Sequence, residues 1–170
     1  SWKFCHHSRH VRCRGRPCRH SARSTSSTTQ RPRRDRSFVM SLDPLDLNEE
    51  VQSFLYERHL ASLTLLRADG SPHVSAVGFT WDFDAQLVRV ITWAGSMKSR
   101  ILFKSPRTRA AVCQIDGGRW LSLEGTALVT ADPLRCLEGT QRYAQRYRMP
   151  QERSDRTVIE ISVDKILGHT

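Results

Sequence analysis

The amino-acid sequence predicts a mainly β protein with flanking helices, in which six antiparallel strands close into a small barrel. Six strand-like apolar stretches follow one another with mostly short turns between them, which favours antiparallel pairing. They fall within roughly 130 residues, about one domain's worth of chain. That stretch is also electrically balanced. Residues 1–39 hold eleven Lys or Arg and one acid, so the chain's net charge of +10 lies entirely there, and sixteen bases face sixteen acids in residues 40–170. A barrel of this size is filled by its own side chains, so a large ligand must bind outside it or between subunits.

Residues 1–39 show neither helical nor strand periodicity and are rich in Arg, Ser, Thr and His. Such a composition buries too little to order itself. Cys5, His6, His7, His10, Cys13, Cys18 and His20 resemble a metal-binding set, but the cysteine gaps of seven and four residues lack the tight paired spacing of structural zinc sites. A nucleic-acid arm is the other reading of the arginines, with no interleaved aromatics to support it. The expectation is a disordered basic extension that is not native to the protein, followed by a cofactor-binding domain over residues 40–170. Met40 opens MSLDPLDLNEEV, which reads as an ordinary protein start. No nucleic-acid partner is expected for residues 40–170.

Leu47 to Arg58 carries Leu47, Val51, Phe54 and Leu55 at helical spacing, with Asp46 or Asn48 as its cap. Leu60 to Leu66 is a strand, and the Asp69-Gly70 turn leads into a second strand from Pro72 to Trp81. A turn at Asp82 to Gln86 precedes the third strand, Leu87 to Trp93. Ser96 caps a short helix through Phe103 that Ser105-Pro106 ends. Strands four and five, Arg107 to Asp116 and Arg119 to Thr130, flank the Gly117-Gly118 reversal, and Gly125 marks a bulge or a close approach. Asp132-Pro133 starts a helix running to about Arg148, and Thr157 to Leu167 is the sixth strand, with Val158, Ile161 and Val163 alternating around polar residues.

Several function classes lose ground on motifs alone. No nucleophile elbow, P-loop or GxGxxG fingerprint occurs, and His59, His73 and His169 are widely spaced, so neither a catalytic triad nor a metal site is expected. No run of 18 apolar residues exists, so no spanning helix and no membrane partner are expected, and two cysteines beyond residue 39 are no disulfide framework. A cytoplasmic protein fits these features. What remains is a sheet that binds and orients a cofactor. Thr92, Ser96, Lys98, Ser99 and Arg100 converge where a strand turns into a helix N-terminus, the ingredients of an anion site. From the residues alone, a capped helix with solvated cations remains equally open. Gly78 marks either a bulge or a planar ligand lying on the backbone.

The segments VSAVGFTWD, VRVITWAGSMKSRILFKSPRTRAAV and GGRWLSLEGTALV resemble, in that order, the split β-barrel flavin and deazaflavin oxidoreductases of the pyridoxamine 5'-phosphate oxidase-like superfamily. FLYERHLASLTLLRADGSPHVSAVGFT, RWLSLEG and RYAQRYR are most similar to its actinobacterial F420-dependent biliverdin reductases. The resemblance covers about residues 50 to 169. It implies a homodimer with coenzyme F420 at the subunit interface, Ser96, Lys98 and Thr92 on its phosphate, and Val77, Gly78 and Phe79 against its ring. Trp120 would reach that site from the second subunit. It also implies hydride transfer to a conjugated small molecule such as a bilin, biliverdin becoming bilirubin. Arg142 and Arg146, four apart on one helix face, are the expected contacts for the bilin's carboxylates, with a solvated helix face as the other reading. Relatives often carry a second basic residue two positions before the lysine, where this chain has Ser96. FMN is the alternative cofactor, in an oxidase-like enzyme or a non-catalytic flavin-binding protein. The sequence names no catalytic residue and no proton donor.

Overall fold

A computed structural model describes residues 40–170, so the expected extension over residues 1–39 lies outside the described residues. The described residues form eight strands and three helices in the order β1 (Met40–Leu42), α1 (Glu49–Tyr56), β2 (Ala61–Leu66), β3 (Pro72–Val77), β4 (Thr80–Asp82), β5 (Leu87–Trp93), α2 (Met97–Lys104), β6 (Thr108–Asp116), β7 (Arg119–Thr130), α3 (Pro133–Arg146) and β8 (Arg156–His169). Local chemistry sets the ends. Asn48, Ser96 and Asp132 cap the three helices by accepting from the backbone N–H three residues on. Gly70 and Gly117 take the left-handed conformation in their hairpins, with φ of +80° and +59°.

The strands form one antiparallel sheet in the order β3-β2-β6-β7-β8-β5-β4, with β1 added to β8. This corrects two expectations: the sheet has eight strands rather than six, and it is open, because β3 and β4 end the path without pairing. The stretch read as one strand from Pro72 to Trp81 breaks at Gly78-Phe79 into β3 and β4. There the Phe79 N–H turns from the ladder and donates to the Tyr147 hydroxyl at 3.2 Å. β1 is too short to leave a periodic signal. β6 begins at Thr108 because Arg107 adopts φ +60°.

β8 is the spine. It pairs with β7 along its length, with β5 through Arg156–Ser162 and with β1 through Ile166–Gly168. The register shifts where Glu124 faces Lys165 and Gly125 faces Val163, which leaves Asp164 as an extra residue on β8. A Cβ on Gly125 would lie 2.0 Å from the Ser162 carbonyl oxygen, so the glycine supplies both features expected of it.

One face of the sheet carries the core, in which Phe54, Leu63, Phe79, Trp81, Val112, Leu123 and Ile161 are buried beside α1 and Leu102 of α2. The other face of β5 and β8 is roofed by α3, which comes close at Gly139: a Cβ there would sit 3.1 Å from Val158 and 3.3 Å from Ile91. Burial on both faces explains why Val158 to Ile161 are all buried, whereas sequence alternation placed Val158 and Ile161 together. The roofed face encloses charge. Arg89 and Glu160, paired across β5 and β8, are buried with Asp82. Arg89 bridges to Asp82 at 2.7 Å and to Glu138 at 3.1 Å, while Arg135 of α3 pairs with Glu160. Among the described residues, no helix is long and apolar enough to cross a membrane.

Gly125→Ala is expected to lower stability by more than about 2 kcal/mol, since the new methyl meets backbone that cannot move aside. Urea unfolding of the full chain would show this as a drop in midpoint, and an unchanged midpoint would mean that the approach is not enforced.

Candidate functional site

The break between β3 and β4 is held from behind by the end of α3. The Arg146 guanidinium donates twice to the Glu57 carbonyl, at 3.1 and 2.6 Å, once to the Phe79 carbonyl at 2.6 Å and once to Gln114 Oε1 at 2.7 Å. Gln114 in turn donates to the Phe54 carbonyl at 2.6 Å. The Arg146 plane also stacks over the Phe79 ring, 4.3 Å from its centroid. Burial pulls its pKa below the usual guanidinium value. Tyr147 completes the clamp, its hydroxyl donating to the His59 carbonyl at 2.6 Å while accepting from Phe79.

In front of this break lies a groove of about 270 Å³. Ala76 to Gly78 at the end of β3, Ile91 to Trp93 at the end of β5 and Lys98 of α2 line it. Tyr143, Pro150, Gln151, Arg153 and Arg156 complete the lining. The groove is cationic. Lys98 and Arg156 line it, and among the described residues neither has a carboxylate within 4.0 Å. Burial alone lowers the Lys98 pKa, so a negative partner in the groove would relieve a real desolvation cost. Arg153 also lines it, paired at the surface with Asp155 at 2.8 Å. Trp93 presents its ring between these cations, 5.3 Å from Lys98 Nζ and 5.0 Å from the Arg153 guanidinium.

Of the residues the sequence singled out, Val77, Gly78, Thr92 and Lys98 meet in this groove. Ser96 lies behind it, buried, accepting a hydrogen bond from Thr92 at 3.0 Å and donating one to Ser99 at 3.0 Å. Ser99 continues this hydroxyl chain to Thr157 at 3.1 Å. Ser96 thus fixes the start of α2 and the direction of Lys98, with its hydroxyl already engaged. Phe79 is turned fully into the core. Gly78 does leave room above its backbone, and α3 fills part of it: a Cβ there would lie 2.7 Å from the Tyr143 ring and 3.2 Å from Tyr147. Arg142 is paired with Asp82 at 2.7 Å and Glu138 at 3.0 Å, and Arg146 is spent inside the clamp. Trp120, near the start of β7, packs against His169, with ring centroids 6.0 Å apart, and does not line this groove.

Sequence reading missed Trp93, Tyr143, Arg153 and Arg156. Trp93 had a usable signal, since strand alternation sets it on the same face as Ile91, just before the Ala94-Gly95-Ser96 break. Arg156 becomes a neighbour of Trp93 only through the β5–β8 register, which pairs them directly. A second cluster was also invisible in the sequence. Glu57, His59 and Asp116 bring ligand atoms within 4.8 Å of one another. Their carboxylates are committed to Arg119, which donates to both Glu57 oxygens at 2.9 Å and to Asp116. The Arg119 guanidinium and then His59 hold Glu57 down at about 2. The cluster ties the end of α1 to the β6–β7 hairpin.

The cationic lining of the groove fits the anionic part of a cofactor. A half-buried lysine and an arginine on the groove lack carboxylate partners, and Gly78, without a side chain, lets the Tyr143 and Tyr147 rings pack onto the backbone that lines it. A family model described as pyridoxamine 5'-phosphate oxidase matches residues 47–170. The chain is 50% identical over 123 residues to a protein named F420H(2)-dependent biliverdin reductase from Mycobacterium tuberculosis (strain CDC 1551 / Oshkosh), covering 72% of this chain and 88% of that one. Among solved structures, an F420 reductase superposes with a TM-score of 0.57 at 24% identity, over 71% of this chain and 98% of the other. The heme storage protein HutZ from Vibrio cholerae gives 0.58 at 16% identity, over 72% and 94%. At these identities the two structures share the fold.

Removing the Tyr147 hydroxyl tests the clamp. Tyr147→Phe leaves the His59 carbonyl and the Phe79 N–H without this partner and is expected to cost about 1–3 kcal/mol. Equilibrium unfolding measures it, and a midpoint equal to that of the unsubstituted protein would show that the break is held by other contacts.

Proposed function

Because the chain belongs to the pyridoxamine 5'-phosphate oxidase family, we propose that it is an F420-dependent oxidoreductase acting on a conjugated small molecule, with biliverdin reduced to bilirubin as its reaction. The 50% identity to a relative named for that cofactor and that acceptor carries the reading. The half-buried, unpaired Lys98 supports it from the side of the site.

Reduced F420 supplies a hydride when bound. The chain's own residues bind and orient. Lys98 and Arg156 hold the anionic part of the cofactor, which offsets the desolvation that Lys98 already bears. Ser96 and Thr92 keep the α2 N-terminus and Lys98 in register through their hydroxyl chain. The Val77-Gly78 backbone forms the wall against the ring, and Tyr143, resting on Gly78, sets how deep a flat group can lie. The clamp of Arg146 and Tyr147 fixes that wall, and placing the reacting groups is the main contribution a protein makes to such chemistry. The protein acts in the cytoplasm as a homodimer, a second copy bringing its Trp120 to the groove.

Titration with F420 and with FMN, followed by fluorescence quenching, tests the cofactor, and turnover of biliverdin by reduced F420 tests the reaction. Tight FMN binding without F420 binding would overturn the reading. Lys98→Ala is expected to weaken F420 binding by about 1.5–3 kcal/mol, the range for a hydrogen bond to a charged group. An unchanged affinity would place the anion elsewhere.

A further inference from the structure

A second cleft, of about 640 Å³, runs between α3 and the chain segment that follows it. Pro133, Leu137 and Thr140 form its α3 side, and Met149, Pro150 and Glu152 form the other. Its size lies within the roughly 300–1,000 Å³ typical of small-molecule sites. Two large apolar side chains on its walls face solvent, Leu137 at 54% exposure and Met149 at 77%. Apolar surface left open on both sides of one cleft is a cost that a bound apolar group would remove. The cleft is not independent of the cofactor groove, because Pro150, Gln151, Arg153 and Arg156 line both. The two are arms of one space that meet at the 150–156 segment. Where they meet, Arg153 and Arg156 belong to the shared lining, Arg156 donating to the Thr92 and Gln151 carbonyls, and Glu152, with an exposed side chain, is the one acid lining the cleft among the described residues. The surface pair of Arg153 with Asp155 is weak in water, so Arg153 can change partner at little cost.

We propose that this cleft is the acceptor subsite. It takes a flat, conjugated molecule bearing carboxylates, seats the apolar part between Leu137 and Met149, and directs the carboxylates to Arg153. The inference rests on the F420-dependent reading and deepens it, replacing Arg142 and Arg146 as the acceptor's contacts. Those two arginines have their guanidinium groups turned to partners within the fold. The wall shared by the two arms brings the acceptor beside the cofactor groove without occupying it.

The test uses the full chain, with biliverdin as probe, its absorbance change and the quenching of tryptophan fluorescence reporting binding, and F420 titrated separately. Leu137 and Met149 are exposed, so Leu137→Glu and Met149→Glu leave the core intact. Each is expected to weaken biliverdin binding by about tenfold or more, because a carboxylate then opposes the ligand's own and removes apolar contact. Leu137→Lys keeps affinity within about threefold, since its stem still covers apolar surface and its charge has the favourable sign. F420 affinity stays unchanged in all three. Biliverdin affinity equal to that of the unsubstituted protein in both Glu variants would overturn the proposal and leave the proposed function standing. Parallel loss of F420 binding would place these side chains in the cofactor arm and overturn it too. If the unsubstituted protein binds F420 but not biliverdin, the acceptor half of the proposed function falls together with this subsite. If it binds no F420, the proposed function itself fails.

Discussion

The Arg146 guanidinium is the joint on which the rest of the domain depends. Its donors reach the end of α1 through Glu57, the β3–β4 break through Phe79, and β6 through Gln114. A buried cation bonded to neutral acceptors is expensive to desolvate, and the burial that lowers its pKa is the sign of that cost. Several charge-assisted hydrogen bonds and the stacked Phe79 ring offset it. The result is a fixed, non-ladder conformation at Gly78, where an ordinary sheet would have continued. The interruption leaves the Phe79 N–H and carbonyl without ladder partners, and the clamp satisfies both.

Cations in the described residues divide by what surrounds them. Arg89, Arg142 and Arg135 sit among Asp82, Glu138 and Glu160 beneath α3, where they anchor the helix to the sheet. Arg119 is held by Glu57 and Asp116 at the far hairpin. Lys98 and Arg156 face a groove and lack acidic partners there. Exposed ion pairs contribute little to stability, but a cation held partly out of water without a partner has its electrostatics directed outward. Cations thus fasten the fold in one place and, as at Lys98, stand without a carboxylate partner in another.

Much of the fold was legible in the chain. The caps at Asn48, Ser96 and Asp132, the turns at Gly70 and Gly117, and the close approach at Gly125 follow from rules acting over a few residues, and the structure bears each of them out. The strand count did not follow, because β1 is three residues long and the Gly78 break has no local marker beyond a glycine. Within the site, Lys98, Thr92 and Gly78 could be picked out because they lie in one continuous stretch. Arg142 and Arg146 show the limit: spacing put them on one helix face, but only packing reveals that the face is turned toward Asp82, Glu57 and Phe79.

The sequence by itself determined the three helices and the strands from Asn48 onward apart from the β3–β4 break, the cationic turn at Lys98 and the likeness to a cofactor-binding family. These depend on neighbours in the chain and on residue order. The tertiary structure decided which cations are free, which hydroxyls are spent and which walls the groove shares. Each of these is settled between groups far apart in sequence. Trp93 meets Arg156 only across the β5–β8 register, and Phe79 meets Arg146 and Tyr147 only when α3 folds back over the break. A charge or a hydroxyl keeps the same chemistry whatever its partner, so its availability is fixed only once the partner has been brought to it.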